Sequence, residues 1–282
     1  MASKRKIVRA SSSIRDILPS RSVVSRKGEN GRVLVLGGSI DYYGAPVLTG
    51  ASALRAGCDL VYLLVPRPIH QVVASYLPDF IVRSYEGGRF SARSMGEVTA
   101  FMDRADVLVA GNGFSSSSVV RSGVKKLLDK WEKPIVLDAD ALIPYFEYAS
   151  GDVVLTPHAG EFERLFNARP SDDLDERASQ VLEFAEKSGA TILLKGPVDV
   201  VSDGKRVAFS ETGNAGMTVG GTGDVLAGVV GAFVSQGAST FDAALAAAFM
   251  VGSAGDMAYS EYGFSFISSD LLGFLPLVLK ER

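Results

Sequence analysis

Gly213-Asn214-Ala215-Gly216-Met217-Thr218-Val219-Gly220-Gly221-Thr222-Gly223-Asp224 runs straight into an apolar stretch, Val225–Val234. Glycines at this density permit positive φ and close approach of the backbone to a ligand. The abrupt change to apolar residues reads as the start of a buried helix. The amides of Gly221, Thr222 and Gly223 then project from a helix N-terminus, where successive N–H groups form an anion pocket. Asp224 falls at the helix start. A carboxylate beside a phosphate pocket serves as a general base toward a substrate hydroxyl. The plainer alternative is a glycine-rich turn in which Asp224 only caps the helix.

Upstream of this loop, short runs of Val, Ile and Leu alternate with longer helical patterns. Val33–Leu36 ends in Gly37-Gly38-Ser39 and precedes a helix over Ala45–Ala56. Leu60–Val65, Val107–Ala110, Ile135–Leu137, Val153–Leu155 and Thr191–Leu194 read as further strands. They lead into Pro66, Gly111-Asn112-Gly113, Asp138-Ala139-Asp140, Thr156-Pro157-His158 and Lys195-Gly196 respectively. This alternation predicts an α/β fold, a mainly parallel central sheet with helices on both faces. Val198–Val201 and Arg206–Phe209 flank Ser202-Asp203-Gly204-Lys205, a hairpin signal that adds a few antiparallel edge strands. Two helices, near Asp242–Ser260 and Ser268–Leu279, close the chain. Ligands of open α/β sheets bind outside the carboxyl ends of the strands, where all these polar and glycine-rich clusters fall.

The chain of 282 residues is 47% hydrophobic and 22% charged, with a net charge of −3. That is ample core material for one enzyme domain. It lacks the basic excess of a nucleic-acid binder. Cys58 is the single cysteine, so no internal disulfide forms, which fits a cytoplasmic location. With only His70 and His158 beside it, a Cys/His zinc site is excluded. The apolar runs Val225–Val234 and Ala243–Val251 are too short to span a bilayer. Residues 1–26 carry Lys4, Arg5, Lys6, Arg9, Arg15, Arg21 and Arg26 against Asp16. An organelle presequence has this look, but a solvated basic arm is the simpler reading. Residues 27–282 form a single domain.

The string from Gly213 to Asp224 resembles the signature of the NAD(P)H-hydrate dehydratase family (the YjeF C-terminal domain), a branch of the ribokinase-like superfamily. Leu155-Thr156-Pro157-His158-Ala159-Gly160-Glu161-Phe162 is similar to a second motif of that family. Gly37-Gly38-Ser39, Tyr43-Gly44-Ala45-Pro46, Gly111-Asn112-Gly113, Asp138-Ala139-Asp140-Ala141-Leu142 and Leu194-Lys195-Gly196 match further positions in order. The resemblance begins near Lys27, leaving no room in this sequence for the epimerase domain that many members carry. Three departures stand out: Ala215 replaces a usual proline, Thr218-Val219 a usual small pair, and Cys58-Asp59 a usual Ala-Gly pair.

The resemblance implies a ribokinase-like fold and an ADP-dependent hydro-lyase that restores NADH and NADPH from their hydrated forms, NADHX and NADPHX. Asp224 is then the catalytic base and a substrate contact. Lys195, Gly196, Pro197, Val198, Asp199, Asn214, Gly216, Met217, Gly220, Gly221, Thr222 and Gly223 lie along the nucleotide. Ala45, Gly113, His158 and Glu161 contact the hydrated nicotinamide substrate. Ala45 and Gly113 act by being small. His158 and Glu161 are also ordinary residues for a helix start, as Asp140 is for a cap. Mg2+ accompanies the nucleotide through its phosphates and water, and Asp138 and Asp140 are candidates to orient groups or to meet the ion through water, with no firm direct ligand. ATP is the alternative donor. Relatives are often tetramers, so a homo-oligomer is expected.

Three other functions compete, and the intact general-base candidate Asp224 argues against one of them, a non-enzymatic nucleotide-sensing module. A hydride-transferring dehydrogenase is disfavoured because Gly37-Gly38-Ser39 lacks G-x-G-x-x-G spacing, and an ordinary P-loop is absent. The alternative that survives is a ribokinase-like kinase for a small molecule such as a vitamin precursor. It shares the Gly221–Asp224 device but not the histidine of Thr156-Pro157-His158.

Overall fold

The computed structural model describes residues 7–9, 17–144 and 152–280. One sheet of ten strands organises them. In chain order the strands are β1 (Ile7–Arg9), β2 (Arg32–Leu36), β3 (Leu60–Pro66), β4 (Ile81–Tyr85) and β5 (Val107–Ala110). They continue as β6 (Ile135–Leu137), β7 (Val153–Leu155), β8 (Thr191–Leu194), β9 (Asp199–Ser202) and β10 (Val207–Ser210). The spatial order is β1-β10-β9-β8-β7-β6-β5-β2-β3-β4.

From β8 across to β4 every neighbouring pair is parallel. β9 runs antiparallel to both β8 and β10, which is the expected hairpin signal realised. After that double reversal β10 points the same way as β8. Ile7–Arg9, within the basic arm, pairs in parallel with β10 and forms the outer strand on that side.

The central strands are aliphatic throughout because both sheet faces are covered. Val33 and Val35 of β2 belong to one core, while Leu34 and Leu36 belong to the other, the alternation of a pleated strand. On the first face lie α1 (Ala45–Arg55), α2 (His70–Ala74), α7 (Thr222–Ser235), α8 (Thr240–Tyr262) and α9 (Ser268–Lys280). On the second lie α3 (Met95–Thr99), α4 (Ser118–Leu128), α5 (Ala159–Phe166) and α6 (Leu174–Ser188).

Two glycines set the height of α7 above the sheet. A Cβ on Gly228 would collide with Ser52 Oγ and the Thr49 carbonyl of α1, and one on Gly231 with Val109 of β5. Close approach at both points lays α7 against α1 and β5. Its N-terminus is thereby delivered to the carboxyl ends of the strands.

The departure Cys58-Asp59 has a structural consequence. Asp59 accepts hydrogen bonds from the Gly28 amide at 2.8 Å, the Asn30 amide at 3.1 Å and Asn30 Nδ2 at 3.0 Å, and from Arg21 at 2.6 Å. Burial opposes its charge, but these donors outweigh that and hold the carboxyl below its ordinary range. This side chain, with the backbone bonds from the Asp59 and Leu60 amides to the Gly31 carbonyl, fastens the segment entering β2 to the sheet. Cys58 is buried, and its thiol is pushed up to about 12, chiefly by burial, which disfavours the thiolate form.

Candidate active site

β2 leads outward to β3 and β4, after which the chain returns to place β5 on the other flank of β2. The boundary between β2 and β5 is therefore the switch point of this sheet, the place where such folds bind ligands. Two glycine clusters meet there. The Gly38 amide donates to the Asn112 carbonyl at 2.8 Å. Gly113 has φ +76°, and a Cβ on it would lie 2.9 Å from Ala45 Cβ and 3.2 Å from Gly38 Cα. Ala45 and Gly113, far apart in sequence, are thus brought side by side at the switch point.

The N-terminus of α7 adjoins this floor. Gly221 is its N-cap, in a left-handed conformation at φ +101°, and no side chain caps the helix. A Cβ on Gly221 would press on Ser268 Oγ at 2.5 Å and Leu48 Cδ1 at 2.7 Å, so only glycine fits. The first amides of a helix lack internal partners, and here no side chain supplies one. The helix dipole adds to their attraction for an anion. Thr222 does not contribute its hydroxyl. That group donates to the carbonyls of Met217 at 2.9 Å and Val219 at 3.3 Å, which shapes the loop.

Asp224 is not the cap. It sits in the first turn, and its Oδ1 accepts from Asn112 Nδ2 at 2.8 Å. The same nitrogen donates to Asp138 Oδ2 at 2.9 Å. Asp138 Oδ1 in turn accepts from Thr156 Oγ1 at 2.8 Å and from Lys195 Nζ at 3.0 Å. Burial pushes Asp224 up to about 6; the Asn112 bond opposes this, Asp138 adds to it and Lys195 opposes it. The result is a carboxylate poised near neutral pH, as a general base requires.

Lys195 does not reach outward as a free phosphate ligand. It lies among carboxylates, bonded to Asp138 and 3.8 Å from Glu161. Burial lowers its affinity for the proton, but Asp138, Glu161 and Asp224 outweigh burial and raise it, so the ammonium stays charged. A Cβ on Gly223 would be 3.4 Å from Lys195 Nζ, which puts this cation at the mouth of the α7 pocket. Gly196 and Pro197 are exposed, with Val198 and Asp199 half-buried behind them. Asp199 Oδ1 accepts from the Gly196 amide at 2.9 Å and fixes the bend after β8. Burial pushes Asp199 up to about 6 against the effect of that bond and of Lys195.

His158 and Glu161 do form a helix start. His158 is the N-cap of α5, its Nδ1 accepting from the amides of Gly160 at 3.1 Å and Glu161 at 3.3 Å. Glu161 returns the bond, its Oε2 accepting from the His158 amide at 2.9 Å. Because Nδ1 accepts, the proton of the neutral ring is on Nε2. The ring is 60% exposed, so it combines a capping nitrogen with an outward face. The ends of β7 and β8 stay together here through a bridge between His158 and Lys195. Asp140 lies in a short helical turn but is not its cap; that position is Asp138.

The opening loop is docked on α8. Asn214 Oδ1 accepts from the Gly216 amide at 3.0 Å, while its Nδ2 donates to the Gly255 carbonyl and Asp256 Oδ1, both at 3.0 Å. Met217 is half-buried beside it and Gly220 is exposed. Asn112, Thr156 and Asp256 complete the site without having been assigned roles in it by the sequence motifs. The sequence signal for Asn112 and Thr156 was only a place near a strand end, within stretches that match the family.

The family model described as NAD(P)H-hydrate dehydratase matches residues 33–276. The ADP-dependent (S)-NAD(P)H-hydrate dehydratase of Cenarchaeum symbiosum is 41% identical over 273 residues, 95% of this chain and 94% of that protein. The bifunctional NAD(P)H-hydrate repair enzyme of Pyrobaculum aerophilum is 43% identical over 264 residues. That match covers 93% of this chain, which spans only about half of the bifunctional protein, 53%. Among solved structures, the ADP/ATP-dependent NAD(P)H-hydrate dehydratase of Bacillus subtilis, co-crystallised with ATP and Mg2+, aligns with a TM-score of 0.83 at 26% identity. That alignment covers 96% of this chain and 97% of the Bacillus chain. The expected fold is thus the observed one: α/β and ribokinase-like, mostly parallel, with helices on both sheet faces. The chain belongs to the NAD(P)H-hydrate dehydratase family.

Proposed function

We propose that this protein is an ADP-dependent (S)-NAD(P)H-hydrate dehydratase, a hydro-lyase that repairs NADHX and NADPHX. One observation carries the reading beyond family membership: a half-buried carboxylate, Asp224, stands in the first turn of a helix whose amides have no side-chain cap. A base and an anion pocket side by side suit transfer of a phosphoryl group to a hydroxyl.

The hydrated ring carries a hydroxyl, and hydroxide leaves poorly. Asp224 takes the hydroxyl proton as the hydroxyl oxygen bonds to the terminal phosphorus of ADP and the bridging P–O bond breaks, releasing AMP. The amides of Gly221, Thr222 and Gly223, with Lys195, stabilise the charge on the transferring group. Phosphate then departs with the ring C–O bond, a proton is lost from the neighbouring carbon, and the ring double bond returns. Gly113 and Ala45 make the floor for the nicotinamide, with His158 and Glu161 at its side. Lys195–Asp199 and the Asn214–Gly223 loop flank the nucleotide.

Among the described residues, no group of three or more His, Cys, Asp or Glu side chains is placed to hold a metal ion. Mg2+ keeps much of its water and binds readily through phosphates. The donor set therefore suits magnesium carried in on the nucleotide, where it neutralises phosphate charge. ADP is the proposed donor because the full-length relative of similar size is named for it. No helix of the described residues is long and apolar enough to cross a membrane. We place the enzyme in the cytoplasm, as a homo-oligomer, by its kinship. The test is incubation with NADHX, Mg2+ and either ADP or ATP, following NADH by absorbance. NADH formation dependent on ADP supports the reading; stable phosphorylated product without NADH would turn it toward the kinase.

A further inference from the structure

Asn112 is completely buried between two glycines at the end of β5. Its backbone is pinned at the switch point by the Gly38 amide. A side-chain amide nitrogen has two hydrogens, and here each goes to a different carboxylate, Asp138 Oδ2 at 2.9 Å and Asp224 Oδ1 at 2.8 Å. The reverse orientation of the amide would set its oxygen against two carboxylates. Asn112 Oδ1 points the other way, buried, with no hydrogen-bond partner. An unpaired buried carbonyl is costly, so this side chain is held in place for what its nitrogen does.

We propose that Asn112 is a positioning residue that grips Asp224 by Oδ1 and leaves Oδ2 as the oxygen that takes the substrate proton. The proposal rests on the reading of Asp224 as the general base. Asn112 also bridges two acids that repel one another. The charged groups around Asp224 are Asp138 from the end of β6 and Lys195 from the end of β8, with Glu161 of α5 joined through Lys195. Asp138 opposes ionisation of Asp224 and Lys195 favours it. Asn112 is the neutral donor in this set, and it favours the ionised base by a direct bond. Without it, Asp224 would bind its proton more tightly and turn freely about its side-chain bonds.

The test compares wild type, Asn112→Ala and Asn112→Ser, each also combined with Asp224→Asn. Asn112→Ala should lower kcat by roughly 10–100-fold, a fraction of the effect typical of a general base, while KM for ADP stays near normal. The acid limb of its kcat/KM profile should move to higher pH, and Asn112→Ser should fall between the two. In the Asp224→Asn background the same substitution should change kcat little. An unmoved acid limb, or an equal loss in that background, would overturn the proposal. A measurement that needs no Asn112 variant covers the case in which those variants do not fold. The Asn112 side-chain amide protons should shift in NMR with the midpoint of the Asp224 carboxyl, and lose that titration in Asp224→Asn. Amide signals that stay still across that midpoint would also overturn it. Wild type that forms no NADH would sink the dehydratase reading and leave this titration standing, so the two failures are distinct.

Discussion

Replacing Asp224 by Asn should make the protein slower and more stable at once, and the two effects can be sized separately. Burial and Asp138 lift the carboxyl from an ordinary 3.8 to about 6. An acid with a raised folded pKa binds its proton more tightly in the native state than in the unfolded chain. Stability is therefore lost as pH rises from about 4 to about 6, and the full cost is present above that. Two units at 1.36 kcal/mol each put the cost at about 3 kcal/mol as an upper bound. Attraction to the α7 N-terminus, about 0.3–1 kcal/mol, is forfeited by the neutral variant and offsets part of the gain. Asp224 is not the N-cap, so no capping bond is lost. For a chain of this size each kcal/mol is worth about 2–4 °C in Tm. The gain should reach a few degrees, and at most about 10 °C, at pH 7, and vanish near pH 4. Turnover should fall about 10²–10⁴-fold, while nucleotide affinity holds or improves because a negative charge is gone. Thermal unfolding of both proteins at five pH values from 4 to 8, with steady-state rates at pH 7, reads all of this. A stability gain equal at pH 4 and pH 7 would refute the electrostatic argument. Retained turnover would refute the assignment of Asp224 as base, and the kinase alternative with it.

His158→Ala should lose the α5 cap, about 1 kcal/mol, and raise KM for the hydrated substrate; His158→Asn should restore the stability but not the KM. Normal KM in His158→Asn would reduce the histidine to its capping role. Gly221→Ala forces a side chain into a left-handed site against Ser268 and Leu48, so it should cost more than about 1 kcal/mol and weaken ADP binding by titration calorimetry. Unchanged affinity would remove the α7 amides from the nucleotide site. Asp59→Asn should lower Tm at neutral pH by the loss of charge-assisted bonds, about 1.5–3 kcal/mol for the strongest of them. Because the folded pKa of Asp59 is depressed, its contribution is present above about 3.9 and lost as pH falls through the lower folded value. The two proteins should therefore converge in strong acid, and a gap that persists there would contradict the account.

The central strands were legible because burial on both faces demands unbroken aliphatic runs, as in Val33–Leu36 and Val107–Ala110, and their bounds fall within a residue of expectation. β4 was not, since Ile81–Tyr85 carries an exposed Arg83 and a half-buried Ser84. A strand at the margin of a sheet has one flank unpaired, and polar side chains protect it. They also erase its signal. Ile7–Arg9 is hidden for a related reason. Only its pairing with β10, some 200 residues on, makes it a strand, and nothing in a charge-rich arm announces that.

The site divides along the same line. The α7 pocket is written in consecutive residues, because a helix N-terminus, a left-handed glycine and a following acid are all local to the chain. Glycine density at 213–223 together with the apolar run that follows was therefore enough to place an uncapped helix start here. The arrangement around Asp224 is not local. Asn112 lies 112 residues from Asp224 and 26 from Asp138, and only the order of β5 and β6 beside α7 brings them into contact. A buried asparagine looks the same in sequence whether it caps a turn or holds a base. Lys195 shows the converse limit. Its position after β8 suggested a cation for phosphate, and in the fold it neutralises Asp138 and Glu161 first. Any phosphate that draws on it must share that charge. In the proposed reading, anion binding therefore depends mainly on backbone amides, whose partial charges need no counter-ion, which accounts for a motif carried by glycines rather than lysines.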